Sequence, residues 1–231
     1  MRKIIIPVWI IGIISAFIFG QYVKGTFTDK ILGAGEEKFN TVQNSYYLHN
    51  EYIPESEMED YIDEVFNVSD LIAKVRYTGK SDYVQNEVVF HCEVTEVYKG
   101  DTSLIGEQIR YVVEPMAIDL NFGFAWGSYV NYMKEGRKYL IFGEPVNCDL
   151  NSLPDNLYRS CSFRYVHYFS FSENNDKLIE LEPLKTKGYE SFFGFYAKNY
   201  PDNEFYATTD EALENILKLK EKVMKKLPVL R

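Results

Sequence analysis

The chain has 231 residues, 19 tyrosines and 16 phenylalanines, and a formal charge of −9. Such acidity, with a pI near 5.0, argues against a nucleic-acid partner, whose phosphate field rewards a basic surface. The length is ample to bury a core without metal or disulfide support, and aromatics among alternating apolar residues lean the chain toward strands.

Arg2 and Lys3 precede an uncharged, mostly apolar run from Ile4 to Val23. About twenty residues rising roughly 1.5 Å each span a hydrocarbon core, and the two leading cations favour a cytoplasmic amino terminus with everything downstream exported. A cleaved signal has the same polarity. Ile18 and Val23 stand where a cleavage site would want small residues, so residues 1–23 are expected to remain as an N-terminal transmembrane anchor.

Residues 24–55 show no clear period and read as a stalk, or as an irregular wrap onto the domain. Ser56 opens a capping box closed by Glu59, and Met58, Tyr61, Ile62, Val65 and Phe66 recur at helical spacing, which predicts a helix over 57–66. Seven carboxylates lie between Glu51 and Glu64; helix dipole and a solvated face account for them better than a cation site.

Strand patterns follow over 70–78, 87–98, 107–113, 139–142, 163–171 and 178–181, separated by polar and glycine turns such as Lys99-Gly100-Asp101 and Glu173-Asn174-Asn175-Asp176. With no crossover helices between them, these short strands fit a small closed or partly open barrel, so the fold class expected is mainly β with flanking helices. Near the end, Thr208 to Glu211 forms a second capping box, and Leu213, Ile216, Leu217, Val223 or Met224, and Leu227 make an apolar stripe that Pro228 stops. Lys218, Lys220, Lys222, Lys225 and Lys226 crowd its second half, where cations suit the helix dipole. A basic amphipathic helix can also lie on anionic lipid. The organisation expected is an anchor over 1–23, a stalk over 24–55, a barrel domain over 56–200 and an amphipathic helix over 201–231.

Of three cysteines, Cys92 alternates with Phe90 and Val94 and reads as a small core residue. Cys148 and Cys161 flank a turn at Pro154-Asp155-Asn156; in an oxidising compartment a bridge between them would contribute roughly 3 kcal/mol, and two free thiols are the alternative. His49, His91 and His167 are far apart, with no metal-binding helical pair. No serine elbow and no phosphate loop occurs in the sequence. Neither catalytic residues nor a metal or cofactor is expected.

Two aromatic stretches stand out. In the first, Phe122, Phe124, Trp126 and Tyr129 sit among glycines in a predicted loop, where rings can stack on a sugar or grip a peptide. The second, Tyr189 to Tyr200, fits a plug at a barrel end.

Val89-Phe90-His91-Cys92-Glu93-Val94-Thr95-Glu96-Val97-Tyr98-Lys99-Gly100-Asp101, with Ser69 to Ala73, Gly106 to Ile109 and Gly136 to Gly143 around it, resembles the netrin-like domain shared with tissue inhibitors of metalloproteinases. The resemblance covers residues 66–143 and implies an OB-type barrel of five to six strands. The inhibitors of that family place an amino-terminal Cys, free at its α-amine and followed two positions on by another Cys, against the protease zinc. No Cys precedes Cys92 here, so that mechanism attaches to no residue of this chain. The function expected is a membrane-anchored extracytoplasmic binding module, with an extracytoplasmic protein or glycan as partner. A protease inhibitor of atypical mechanism, or an enzyme using the aromatic loop as its cleft, are the alternatives.

Overall fold

A computed structural model describes residues 43–45, 53–84, 87–113, 118–119, 124–125, 129–146, 156–163, 166–173, 175–183 and 193–227. The chain divides into two compact units, 1–33 and 34–231, and every described residue lies in the second. The expected anchor over 1–23 therefore falls outside the described residues, among which no helix is long and apolar enough to cross a membrane.

The elements, in chain order, are β1 (Gln43–Ser45), α1 (Met58–Val68), β2 (Leu71–Val84), β3 (Glu87–Lys99), β4 (Gln108–Val113), β5 (Ile118–Asp119), β6 (Phe124–Ala125), β7 (Lys138–Pro145), β8 (Leu157–Ser160), β9 (Tyr168–Ser170), β10 (Glu182–Pro183), β11 (Phe193–Tyr196) and α2 (Asp210–Lys226). Five strands close a barrel in the order β2-β3-β4-β8-β7 and back to β2. All neighbours are antiparallel except β4 and β8, which pair in parallel from Arg110 opposite Leu157 to Val112 opposite Arg159. Register shifts at Ile72/Ala73, Lys74/Val75 and Tyr77/Ser81 coil β2, as closing so small a barrel requires. The first half of β2 pairs with both β3 and β7, whereas Ser81–Val84 continues with β3. One edge of β7 carries two short strands in succession, β8 beside Gly143–Pro145 and β9 beside Tyr139–Ile141.

Aromatic rings fill the interior. Phe90 meets Tyr77, Tyr132 and Tyr168 with centroids 5.3, 4.7 and 5.9 Å apart, in the tilted and edge-on geometries that ring quadrupoles prefer. A second cluster joins Phe142 to Phe66 of α1, Phe163 and Phe169. Met58, Ile62, Val65 and Phe66 of α1, and Ile216, Leu219 and Val223 of α2, belong to the same core, each large side chain contributing about 1.5–3 kcal/mol by burial.

Local details depart from the sequence pattern. Residues 55–57 form a 3-10 turn after Pro54, with Glu57 N–H bonded to Pro54 C=O at 2.9 Å, so the chain is already turned at Ser56, which does not cap α1. Glu57 occupies that cap position and makes no side-chain bond there. For α2 the cap is Thr209, one residue after Thr208, accepting from Ala212 N–H at 3.2 Å. The strand expected over 163–171 shortens to β9, and 178–181 is not a strand. Strand β8 was missed because its residues carry no alternation that separates them from a turn. Within the expected stalk, β1 pairs antiparallel with β11, from Gln43 opposite Tyr196 to Ser45 opposite Gly194.

Candidate functional site

An open polar recess of about 460 Å³ is lined by Arg137, Ser172, Glu173, Asn175, Lys177 and Asp202. It is built on three non-helical segments, each held by buried polar contacts. Arg137 follows Gly136, whose φ of +74° is the left-handed conformation that glycine adopts without strain. Backbone bonds from Gly136 N–H to Tyr77 C=O at 2.9 Å and from Tyr77 N–H to Arg137 C=O at 3.1 Å dock this turn on β2.

The other two segments are stitched together by side chains. Asn203, buried, accepts from Lys177 N–H at 3.1 Å and donates to Lys177 C=O at 2.7 Å and Phe205 C=O at 3.0 Å. Asp176 accepts from the N–H groups of Glu204 and Phe205, and burial pushes its carboxyl above the ordinary range. Buried Asn131 donates to Asn203 C=O at 2.9 Å and accepts from Tyr132 N–H and the Tyr206 hydroxyl, each at or below 2.8 Å. Ser172 is fixed by the Glu204 cluster: Glu204 accepts from Ser170 N–H and its hydroxyl at 2.6 Å and from Lys220 Nζ at 2.6 Å, and Lys220 donates to Ser172 C=O at 3.2 Å. Burial drives the Glu204 carboxyl up, and the adjacent Lys220 ammonium opposes that shift.

The segments carrying Ser172, Asn175, Lys177 and Asp202 are thus tied together by partly buried hydrogen bonds, with Asp176 Oδ2 left without a partner among the described residues, and such ties pre-organise a site. Its charges are not spent on one another. Arg137, Glu173, Lys177 and Asp202 are exposed, and none makes an ion pair within 4.0 Å with another described residue. By contrast Arg76 pairs with Glu93 and His91 with Asp82.

The aromatic loop fares differently. Tyr129 is 5 % exposed, and its C=O accepts from Tyr206 N–H at 2.8 Å. Its ring belongs to the core, and beside it Val130 bridges to Phe205. Phe124 lies on β6, opposite Asp119 of β5; Phe122 and Trp126 lie outside the described residues. From the second aromatic stretch, Phe195 is buried and stacks edge-on against Tyr206 at 4.7 Å.

Cys92 lies fully buried in the core. Cys161 is a half-buried free thiol, while Cys148, its expected partner, lies outside the described residues. Burial raises the Cys161 thiol, and a hydrogen bond with Ser69 opposes that rise. His167 turns elsewhere: its Nδ1 is 3.0 Å from Ser160 Oγ. Burial drops His167 to about 3, and its Nε2 has no partner among the described residues. A Ser–His pair whose imidazole has no orienting group and stays neutral lacks the arrangement that activates a serine. Among the described residues no group of three His, Cys, Asp or Glu could hold a metal, and His49 lies outside them.

None of the recess residues was singled out from sequence. The available signals were the Glu173 to Asp176 turn and the Pro201-Asp202-Asn203 turn, which mark loops but say nothing of their convergence. Compared with known proteins, the chain matches no family model and no curated relative.

Proposed function

We propose that this chain is a membrane-anchored, extracytoplasmic, non-catalytic binding module on an OB-type barrel of the netrin-like kind, and that the recess around Arg137 and Asp202 is where it meets its ligand. One observation carries the reading: four charged side chains of both signs line an open recess without an ion pair to another described residue, on turns tied down by backbone bonds to Tyr77 and by side-chain bonds of Asn203 and Asp176. Unpaired charges on rigid supports favour recognition, because little ordering cost is left to bind. The strand order β2-β3-β4-β8-β7, with its parallel closure, supports the OB-type reading. The apolar run Ile4 to Val23 behind two cations carries the anchor and the exported topology.

The test uses the full chain in detergent, screened by thermal shift against amino acids and dipeptides, neutral oligosaccharides and organic acids, beside the double variant Arg137→Gln/Asp202→Asn. Stabilisation by one class in the wild type and not in the variant is expected. If no class distinguishes the two proteins, the recess is not the site. Alkaline extraction of membranes tests the anchor, which a soluble product beginning near Gln21 or Thr26 would refute.

A further inference from the structure

The composition of the recess narrows what can occupy it, given that it is a binding site as proposed above. Two cations, Arg137 and Lys177, and two carboxylates, Glu173 and Asp202, share the lining with Asn175 and Ser172. A phosphate or polyanion is selected by cations in excess, and here the signs balance. A neutral saccharide is held by an aromatic platform, and no ring lines the recess. A bare metal ion needs clustered ligands, and the described residues offer no such group.

A ligand bearing both charges a few bonds apart answers all four rim groups at once. We infer that the recess takes a zwitterion of amino-acid to dipeptide size. The Arg137 guanidinium, a planar fork of donors, matches the ligand carboxylate two bonds at a time, and Lys177 adds a point charge. Glu173 and Asp202 accept from the ligand ammonium, and Asn175 and Ser172 can meet a peptide group. A volume of about 460 Å³ falls within the range of small-molecule sites.

Capping separates this inference from the broader one. Isothermal titration of the full chain with a pool of free dipeptides that includes glycylglycine is set beside the N-acetyl and C-amide forms of the same pool, with maltotriose as a neutral control. Loss of either charge should weaken binding about tenfold or more. Arg137→Lys, which keeps the charge and loses the fork, should weaken the free and N-acetyl pools alike and leave the Tm of the free protein unchanged. Asp202→Asn should weaken the free and C-amide pools instead. If capped and free dipeptides bind equally, or if maltotriose alone binds and is lost in the double variant, the zwitterion inference is overturned while the recess stands as a site. If nothing in the wider panel distinguishes the double variant, both fail.

Discussion

Glu59 of α1 and Lys222 of α2 are paired at 2.5 Å across 163 residues of sequence, the same separation that joins Glu55 to Lys218 at 3.2 Å and Asp63 to Lys226. Each rung advances four residues on both sides, so the two helices run parallel along this seam. The constant offset accounts for part of both charge blocks: Lys218, Lys222 and Lys226, which also suit the dipole of α2, meet the acidic stripe that runs from Glu55 into α1. Lys222 holds the Glu59 carboxyl below its ordinary range, and Glu214 with Glu55 holds the Lys218 ammonium above its own. Exposed pairs of this kind contribute more to register than to stability.

Reversing one rung tests that assignment. Lys222→Glu places two carboxylates together and should lower the Tm by a small amount that salt reduces. Glu59→Lys combined with Lys222→Glu should restore most of the loss. If the double variant melts at the sum of the two single shifts, the rungs are independent and the ladder does not set the helix register.

The Glu204 to Lys220 pair should behave otherwise, because its side chains are only 10 % and 12 % exposed. Lys220→Met leaves a buried carboxylate without its counter-charge and is expected to cost about 3–5 kcal/mol in urea denaturation. Glu204→Gln added to Lys220→Met should recover a large part. Because Glu204 anchors Ser170 and, through Lys220, Ser172, hydrogen exchange over 170–177 should accelerate in the single variant.

His167 sets an acid limit. Its folded value, about 3, lies below the ordinary 6.5, so the unfolded chain binds the proton first. The stability it supports is complete above about pH 6.5 and is lost toward pH 3, at about 1.4 kcal/mol per pH unit. Glu204 and Asp176, raised by burial, act in the opposite sense: what they contribute is complete below the ordinary carboxylate range and fades as pH rises through their elevated values. The His167 share is isolated by difference. A His167→Phe variant should show a shallower fall of Tm between pH 6.5 and pH 4; a slope equal to the wild type would show that His167 is protonated in the fold.

Thiol chemistry should separate two cysteines. Cys92 is fully buried and its thiol is raised far above the usual range by desolvation, so it should resist iodoacetamide until the barrel unfolds. Cys161, half-buried, should label in the native protein over longer times. Peptide mapping reads both. A Cys161 peptide crosslinked to Cys148 would replace the free thiol with the bridge, and native labelling of Cys92 would contradict its place in the core.

Much of the fold is written locally. Alternation in β3 and β4 and the run Tyr139 to Phe142 mark barrel strands because one face of each must be buried, and the stripes of α1 and α2 mark helices for the same reason. Glycines at positions 100, 106 and 136 sit at turns with φ from +74° to +110°, which a sequence reader finds as breaks between strands. What the sequence does not contain is distance. The parallel closure of β4 on β8, the 163-residue ladder and the docking of Tyr129 into the core all join residues whose neighbours in sequence say nothing of one another. The recess follows the same rule: Arg137, the turn at 172–177 and Asp202 are ordinary polar loop residues singly, and only the docking of the Arg137 turn on Tyr77 and the side-chain bonds of Asn203, Asp176 and Glu204 bring their charges to one place. Local periodicity fixes which side of an element must be hidden, whereas a site made of loops depends on long-range hydrogen bonds formed only once the barrel has closed.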